Sequence, residues 1–350
     1  MRAESCRELP KGGGDVFSHC ETITREDLFC AWRTFQKGKM KKVDVLAFAL
    51  CAEEHIHDLW ADVRDEKYQH GFYTTFQIRD PKLRTISKAS VRDRLLHQTI
   101  FTYLESSFER GFIYDSYASR RGKGMLAMLE RFEDFAHRIS CGNKKTVWVL
   151  KCDIRKFFDS VDHAVLQTRM CEKVTSPQVR DLVGEVVRSF STRPGKGIPL
   201  GNITSQIFAN VYLDILDQFV KRNLGVKYYM RYADDIVILS DSREMLVDYL
   251  QEIRVFLRER LHLELHPHKI SIRSWRQGVD ILGYISYPGY RMLRTKTKHR
   301  IRKHVWNKKQ MLANGLISQE DYAQTAASYR GRIQHAWSEE LEHWTGLEKE

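Results

Sequence analysis

Apolar positions recur along this chain with two different periods, and each change of period marks an element. Over 243–261, Leu246, Leu250, Ile253, Leu257 and Leu261 fall three or four apart, the spacing of one helix face. The same spacing holds in 205–222, at positions 207, 208, 211, 212, 215, 216 and 219. It also holds in 24–70, where Thr24, with Asp27 three residues on, is suited to cap a first helix. Residues 90–110 read as helix, entered through Ser90 and Asp93 and stopped by Gly111. A further helix is expected near 162–172. Strand-length apolar runs stand at 147–153 (VWVLKCD), 228–240 (YYMRYADDIVILS) and 280–287 (DILGYISY). The second is long enough for two strands about a tight turn at Ala233–Asp235. Residues 72–79 alternate weakly, as a strand broken by Asp80-Pro81.

From 147 onward the order is strand, helices, hairpin, helix, strand. That is close to a β-α-β-β-α-β plan, so the fold class expected is α+β, an antiparallel sheet backed by helices. Residues 1–23, polar with GGG at 12–14, are expected to be flexible. The stretch SYRGRIQHAW (328–337) reads as a helix–turn joint in which Gly331 permits close packing.

Composition adds a partner. Hydrophobic content of 42% and aromatic content of 11% fit a folded protein. No apolar run reaches the roughly 18 residues of a membrane span, and the first residues do not resemble a signal peptide. Seven scattered cysteines without a CxxC pair suggest reduced thiols and a cytoplasmic setting. Net charge is +12, which favours a polyanion, nucleic acid before membrane. The charge gathers in 33–42 (RTFQKGKMKK) and in 294–309 (RTKTKHRIRKHVWNKK), with eight Lys/Arg in the latter. Ile301 and Val305, four apart there, predict a helix with one buried stripe and a basic remainder that includes Lys298, Arg302 and Lys309.

Chemistry enters with Asp234 and Asp235, adjacent carboxylates inside an otherwise strand-forming run. In the plan above the strand ending at Asp153 lies beside the 228–240 hairpin, so three carboxylates meet at one sheet edge. Two carboxylates ~4 Å apart repel by roughly 4 kcal/mol at an effective dielectric near 20. A divalent cation offsets this, and hard oxygen ligands with open positions suit Mg²⁺. A solvated surface turn is the competing reading, because Asp is a common turn residue. The histidines of HLELHPH (262–268) lack cysteine partners at ligand spacing, so a zinc site is not expected.

YADD (232–235) resembles the Y-x-D-D signature of reverse transcriptases, and Asp153-Ile154-Arg155-Lys156-Phe157-Phe158 resembles their first catalytic-aspartate motif. Further segments follow in the family's order: SYASRRGKG (116–124), PLGNITSQ (199–206), HPHK (266–269) and ILGY (281–284). The resemblance covers about 80 to 340. It implies a right-hand polymerase with fingers, a ferredoxin-like palm and a small helical thumb. The corresponding boundaries are an N-terminal extension and fingers at 24–146, a catalytic palm at 147–288 and a thumb at 289–350.

The resemblance also implies roles. Asp153, Asp234 and Asp235 hold Mg²⁺ with the backbone of Ile154, and Lys269 meets the leaving pyrophosphate. Arg120 grips the incoming triphosphate, while Phe158, Leu200, Gly201 and Gln206 form the rest of the dNTP site. Lys298, Arg302 and Lys309 face an RNA–DNA duplex. Leu200-Gly201 and Ser205-Gln206 depart from the usual Gln-Gly and Ser-Pro. G-N-x-T-S-Q after an aliphatic residue resembles the reverse transcriptases of diversity-generating retroelements. That branch implies cDNA synthesis with errors at template adenines, and a small basic oligomeric accessory protein. An antiphage-defence reverse transcriptase, a non-catalytic RNA-binding protein and a palm-fold nucleotide cyclase are the rival readings.

Overall fold

The computed structural model describes residues 22–79 and 82–336. In chain order the elements begin with helices α1 (Arg25–Phe35), α2 (Val43–Leu50) and α3 (Ala52–Arg64), strands β1 (Thr74–Arg79) and β2 (Leu83–Lys88), and helices α4 (Val91–Phe108) and α5 (Met125–Ile139). Strand β3 (Trp148–Asp153) precedes helices α6 (Phe157–Ser160), α7 (His163–Cys171), α8 (Pro177–Arg188) and α9 (Ile203–Gln218). Then come β4 (Tyr229–Tyr232), β5 (Asp235–Ser240), α10 (Arg243–Arg260), β6 (Ser271–Ser274), β7 (Val279–Ile281), β8 (Tyr284–Tyr287), β9 (Tyr290–Leu293), α11 (Thr295–Ala313) and α12 (Gln319–Ile333).

These elements form two units, each drawn from several stretches of chain. One takes the chain as far as Tyr114 together with Arg155–Phe219 and Phe256–Glu264; the other takes Asp115–Ile154, Val220–Val255 and the chain from Leu265 onward. The segment 147–288 contributes to both.

The first unit is mainly helical. Its α1 starts where the sequence signals it: Thr24 and Asp27 form a reciprocal capping box. Ser90 caps α4 by accepting from the Asp93 amide. The buried side of α4, with Leu95, Leu96, Ile100 and Leu104, packs on α9, whose residues are buried almost throughout. The hairpin β1–β2 pairs antiparallel from Thr74↔Lys88 to Arg79↔Leu83. The Asp80-Pro81 break proposed between them lies outside the described residues.

The second unit is built on a four-stranded antiparallel sheet in the order β4-β5-β3-β6. Numbered within the sheet by chain order this is 2-3-1-4, the ferredoxin-like arrangement expected. β5 is buried on both faces, which explains its unbroken apolar run Ile236–Leu239. Met128, Leu129, Phe132 and Phe135 of α5 join Val149, Met230, Val237 and Leu239 of the sheet in one core. The core extends through Trp275 and Tyr284 to Ile301 and Val305 of α11.

Two expectations are corrected here. The fourth strand of the sheet is β6, 271–274, whereas 280–287 is not one strand: β7 and β8 pair as a hairpin through Leu282 (φ 51°) and Gly283 (φ 92°), and β9 completes a separate three-stranded sheet. The apolar pattern alone reads as one strand because Leu282 adopts a left-handed conformation that glycine usually supplies; the resemblance of ILGY to the family's primer-grip hairpin agrees with the turn. Gly331 lies inside α12, and a methyl group added there meets nothing within 4 Å, so close packing is not its role. Residue 337 of that motif lies outside the described residues.

Candidate active site

Register brings the acidic groups together. β3 and β5 run antiparallel with Asp153 directly opposite Asp235. Asp234 stands in the two-residue turn between β4 and β5, with Ala233 at φ 50°. The Ile154 amide donates to the Asp234 carbonyl at 3.3 Å, and the His266 amide donates to the Asp153 carbonyl at 2.7 Å, so the end of β3 is held on both sides. Because side chains alternate along a strand, Lys151 shares the face of Asp153. Its Nζ lies 3.7 Å from Asp235 Oδ1 and donates to the Asp280 carbonyl at 3.0 Å. Lys269 Nζ donates to Asp153 Oδ2 at 2.6 Å.

The electrostatics follow from this crowding. Burial, then the neighbouring Asp153, raises Asp234 to about 6. Asp235 is also raised, by burial first, with Lys151 opposing. Burial with Asp235 and Asp153 nearby pushes the Cys152 thiol up to about 12, so it stays neutral. Among the described residues no three acidic, histidine or cysteine side chains converge on one point as they stand, the Asp153 carboxylate being engaged by Lys269. The donor set nonetheless fits Mg²⁺: all hard oxygens, on adjoining backbone positions, with Asp234 and Asp235 both raised by burial first and by the neighbouring Asp153 carboxylate.

Arg120 sits in the same unit. Its loop adjoins the sheet through a bridge between Ser116 and Arg231, and its Nη1 donates to the Ser116 carbonyl at 2.8 Å. Ser119 (φ 54°), Gly122 (φ 66°) and Gly124 (φ 133°) turn the loop so that the Lys123 amide meets the Arg120 carbonyl at 3.3 Å.

Phe158 and 200–206 belong to the other unit, where they form a second group. Phe157 is the core aromatic, 2% exposed; Phe158 is half-buried and meets it edge-on, with ring centroids 5.6 Å apart. The Phe158 carbonyl accepts from the Ile198 amide at 2.8 Å, which ties the two motifs. Gly201 has φ 113°, and a Cβ there would stand 2.6 Å from Ile86 Cγ2, so both conformation and space require glycine. The Leu200 carbonyl accepts from the Ser87 amide at 2.9 Å, and Ser205 Oγ donates to the Pro199 carbonyl at 2.6 Å. Leu200 is half-buried and Gln206 exposed.

In α11 the predicted stripe is present: Thr297, Ile301 and Val305 are buried. Lys298, Arg302 and Lys309 lie along one flank of the helix, Lys298 half-buried and the other two exposed.

Sequence reasoning passed over three residues. Lys151 was signalled by its place as the one basic residue in VWVLKCD, two before Asp153. Arg231 was signalled as a charge in a buried strand beside the paired aspartates. Trp306, 61% exposed among the basic residues of α11, was signalled only by its neighbours.

A model of the family described as reverse transcriptase (RNA-dependent DNA polymerase) matches residues 78–286. The chain belongs to the reverse transcriptase family. The match contains every acidic residue of the cluster, Arg120, Phe158 and 200–206. Among similar proteins, Protein YkfC of Escherichia coli is 22% identical over 256 residues, 62% of this chain and 65% of that protein. The Group II intron-encoded protein LtrA of Lactococcus lactis subsp. cremoris is 21% identical over 271 residues, 58% of this chain and 44% of that one. The Putative COX1/OXI3 intron 2 protein of Saccharomyces cerevisiae is 22% identical over 263 residues, 57% of this chain and 30% of that protein. The chain therefore spans under two thirds of the length of each. A solved telomerase from Candida albicans overlays with a TM-score of 0.48 at 12% identity, covering 69% of this chain and 51% of that one.

Proposed function

We propose that this reverse transcriptase family member is an RNA-directed DNA polymerase that extends a primer on an RNA template with Mg²⁺. One observation carries the reading: within the family match, strand register sets Asp153 opposite Asp235 with Asp234 in the adjoining turn. Asp153, Asp234, Asp235 and the Ile154 carbonyl would hold Mg²⁺, which supplies activation of the primer 3′-hydroxyl and charge stabilisation of the leaving pyrophosphate. The ammonium of Lys269, which donates to Asp153, would meet the charge of the leaving pyrophosphate. Arg120 offers a planar fork for the triphosphate. Phe158, half-buried beside the core residue Phe157, would exclude a 2′-hydroxyl by the bulk of its ring. Leu200, Gly201 and Gln206 shape the remaining dNTP site. The basic flank of α11 fits the backbone of an A-like duplex. Among the described residues no helix is long and apolar enough to cross a membrane.

The biological role proposed is that of a diversity-generating retroelement, with a basic accessory oligomer as partner; Leu200 in place of the usual glutamine supports it. A leucine side chain makes no hydrogen bond, and one such bond is worth about 1 kcal/mol, or roughly fivefold in discrimination. The relatives named for introns favour a second reading, an intron-type enzyme. The test is primer extension on an RNA template, with errors counted per template base. We expect extension that Asp234→Asn with Asp235→Asn abolishes while RNA binding persists, and errors concentrated at adenines. Extension by the double variant would remove the polymerase reading; an even error spectrum would remove the diversifying one.

A further inference from the structure

Arg231 is wholly buried in β4, three residues before Asp234, at 0% exposure. Burying a guanidinium is costly unless its donors are satisfied in good geometry. Its fork reaches two different pieces of chain: Nη1 donates to the Ala233 carbonyl at 3.0 Å and Nη2 to Ser116 Oγ at 3.2 Å. Its backbone joins the same two pieces. The Arg231 amide donates to the Asp115 carbonyl at 2.9 Å, and the Tyr117 amide donates to the Arg231 carbonyl at 3.0 Å. Each end of the fork lies next to a proposed site group. Ala233 holds a left-handed backbone immediately before Asp234. Ser116 gives its carbonyl to the Arg120 guanidinium.

We propose that Arg231 is a positioning residue that fixes the turn carrying Asp234 against the loop carrying Arg120. The inference rests on the polymerase reading above. A triphosphate bound to metal at the aspartates and gripped by Arg120 needs both groups at one set separation, and Arg231 hydrogen-bonds beside each of them. An ordinary buried residue would stabilise the fold without linking the two. Lysine cannot replace it, since a single ammonium does not present two donors in a rigid fork.

Primer extension at varied dNTP and varied Mg²⁺ tests this with Arg231→Lys and Ser116→Ala, each checked for fold by near-ultraviolet circular dichroism. For Arg231→Lys we expect KM for dNTP to rise about tenfold, the order of one charge-assisted hydrogen bond, and half-saturation in Mg²⁺ to move up with it. Ser116→Ala should move both in the same direction by less. In an Arg120→Ala background most of the KM effect of Arg231→Lys should vanish, because both act on one interaction with the triphosphate. Folded variants with unchanged KM and Mg²⁺ dependence, whatever their kcat, would overturn the inference, as would full additivity with Arg120→Ala. If Arg231→Lys fails to fold, Ser116→Ala decides alone by the same criteria. A wild-type protein without any extension would instead remove the polymerase reading itself, and the inference with it.

Discussion

At the residue scale, Asp234 shows how a site can oppose the fold that contains it. Its carboxyl is raised from the ordinary value to about 6, first by burial and then by Asp153. A carboxyl held above its unfolded value favours the folded state only when protonated. That contribution is complete below about pH 4 and is lost as pH rises through about 6. Without Mg²⁺, Asp234→Asn should therefore stabilise the protein at pH 7, by of order 1 kcal/mol given the solvent that still reaches the group, and leave stability at pH 4 nearly unchanged. Thermal melts at the two pH values with chelator check this; equal shifts at both would remove the electrostatic explanation. Phe158 gives a second expectation. Phe157 fills the core, so Phe158→Ala should cost little stability and should admit ribonucleotides, read as a large fall in dNTP/rNTP discrimination by a folded enzyme. Unaltered discrimination would make Phe158 a packing residue.

At the element scale, α11 carries basic residues from its first turn, against the helix dipole, with none of its first-turn positions acidic. Its buried stripe Thr297, Ile301 and Val305 holds it to the core regardless. Neutralising Lys298, Arg302 and Lys309 together should weaken template–primer binding and flatten its log–log salt dependence by roughly 0.7 to 0.9 for each phosphate no longer neutralised. Titrations at several salt concentrations measure that slope, and an unchanged one places the duplex elsewhere. In α12, Gly331 is a helix-interior glycine with open space around it. Gly331→Ala should raise stability by about 0.5–1 kcal/mol, since alanine loses less backbone freedom on folding. A loss of stability in denaturant unfolding would restore the close-packing role.

At the scale of the whole molecule, the chain passes repeatedly between its two units. Neither unit is a continuous segment. Helices α4 and α9 of one unit pack together although β3 of the other lies between them in sequence. The boundaries proposed at 146/147 and 288/289 both fall inside stretches of the second unit. A fragment starting at 147 should fail to fold alone, because α9 is deprived of the apolar face of α4, with Leu95, Leu96, Ile100 and Leu104. Far-ultraviolet circular dichroism and amide dispersion of the 147–336 fragment measure this; a cooperative native fold would show that the second stretch is self-sufficient.

The sequence by itself determined what local physics encodes. Helical spacing and caps placed α1, α4, α9, α10 and α11, and the apolar flanks of Asp234 and Asp235 placed the hairpin, because periodicity and capping act within a few residues. Motif order was likewise legible, and with it the family. Only the tertiary structure decided that β6 rather than 280–287 closes the sheet, since SIRS has no apolar run and its partner Trp148–Lys151 lies over a hundred residues away. Only it showed that Leu282 turns the chain at a left-handed angle, a conformation imposed by pairing on both sides rather than by the residue's own preference. The lysines at Asp153 and Asp235 and the reach of Arg231 from Ala233 to Ser116 join distant segments. No spacing along the chain contains them, because they exist only once the strands have paired.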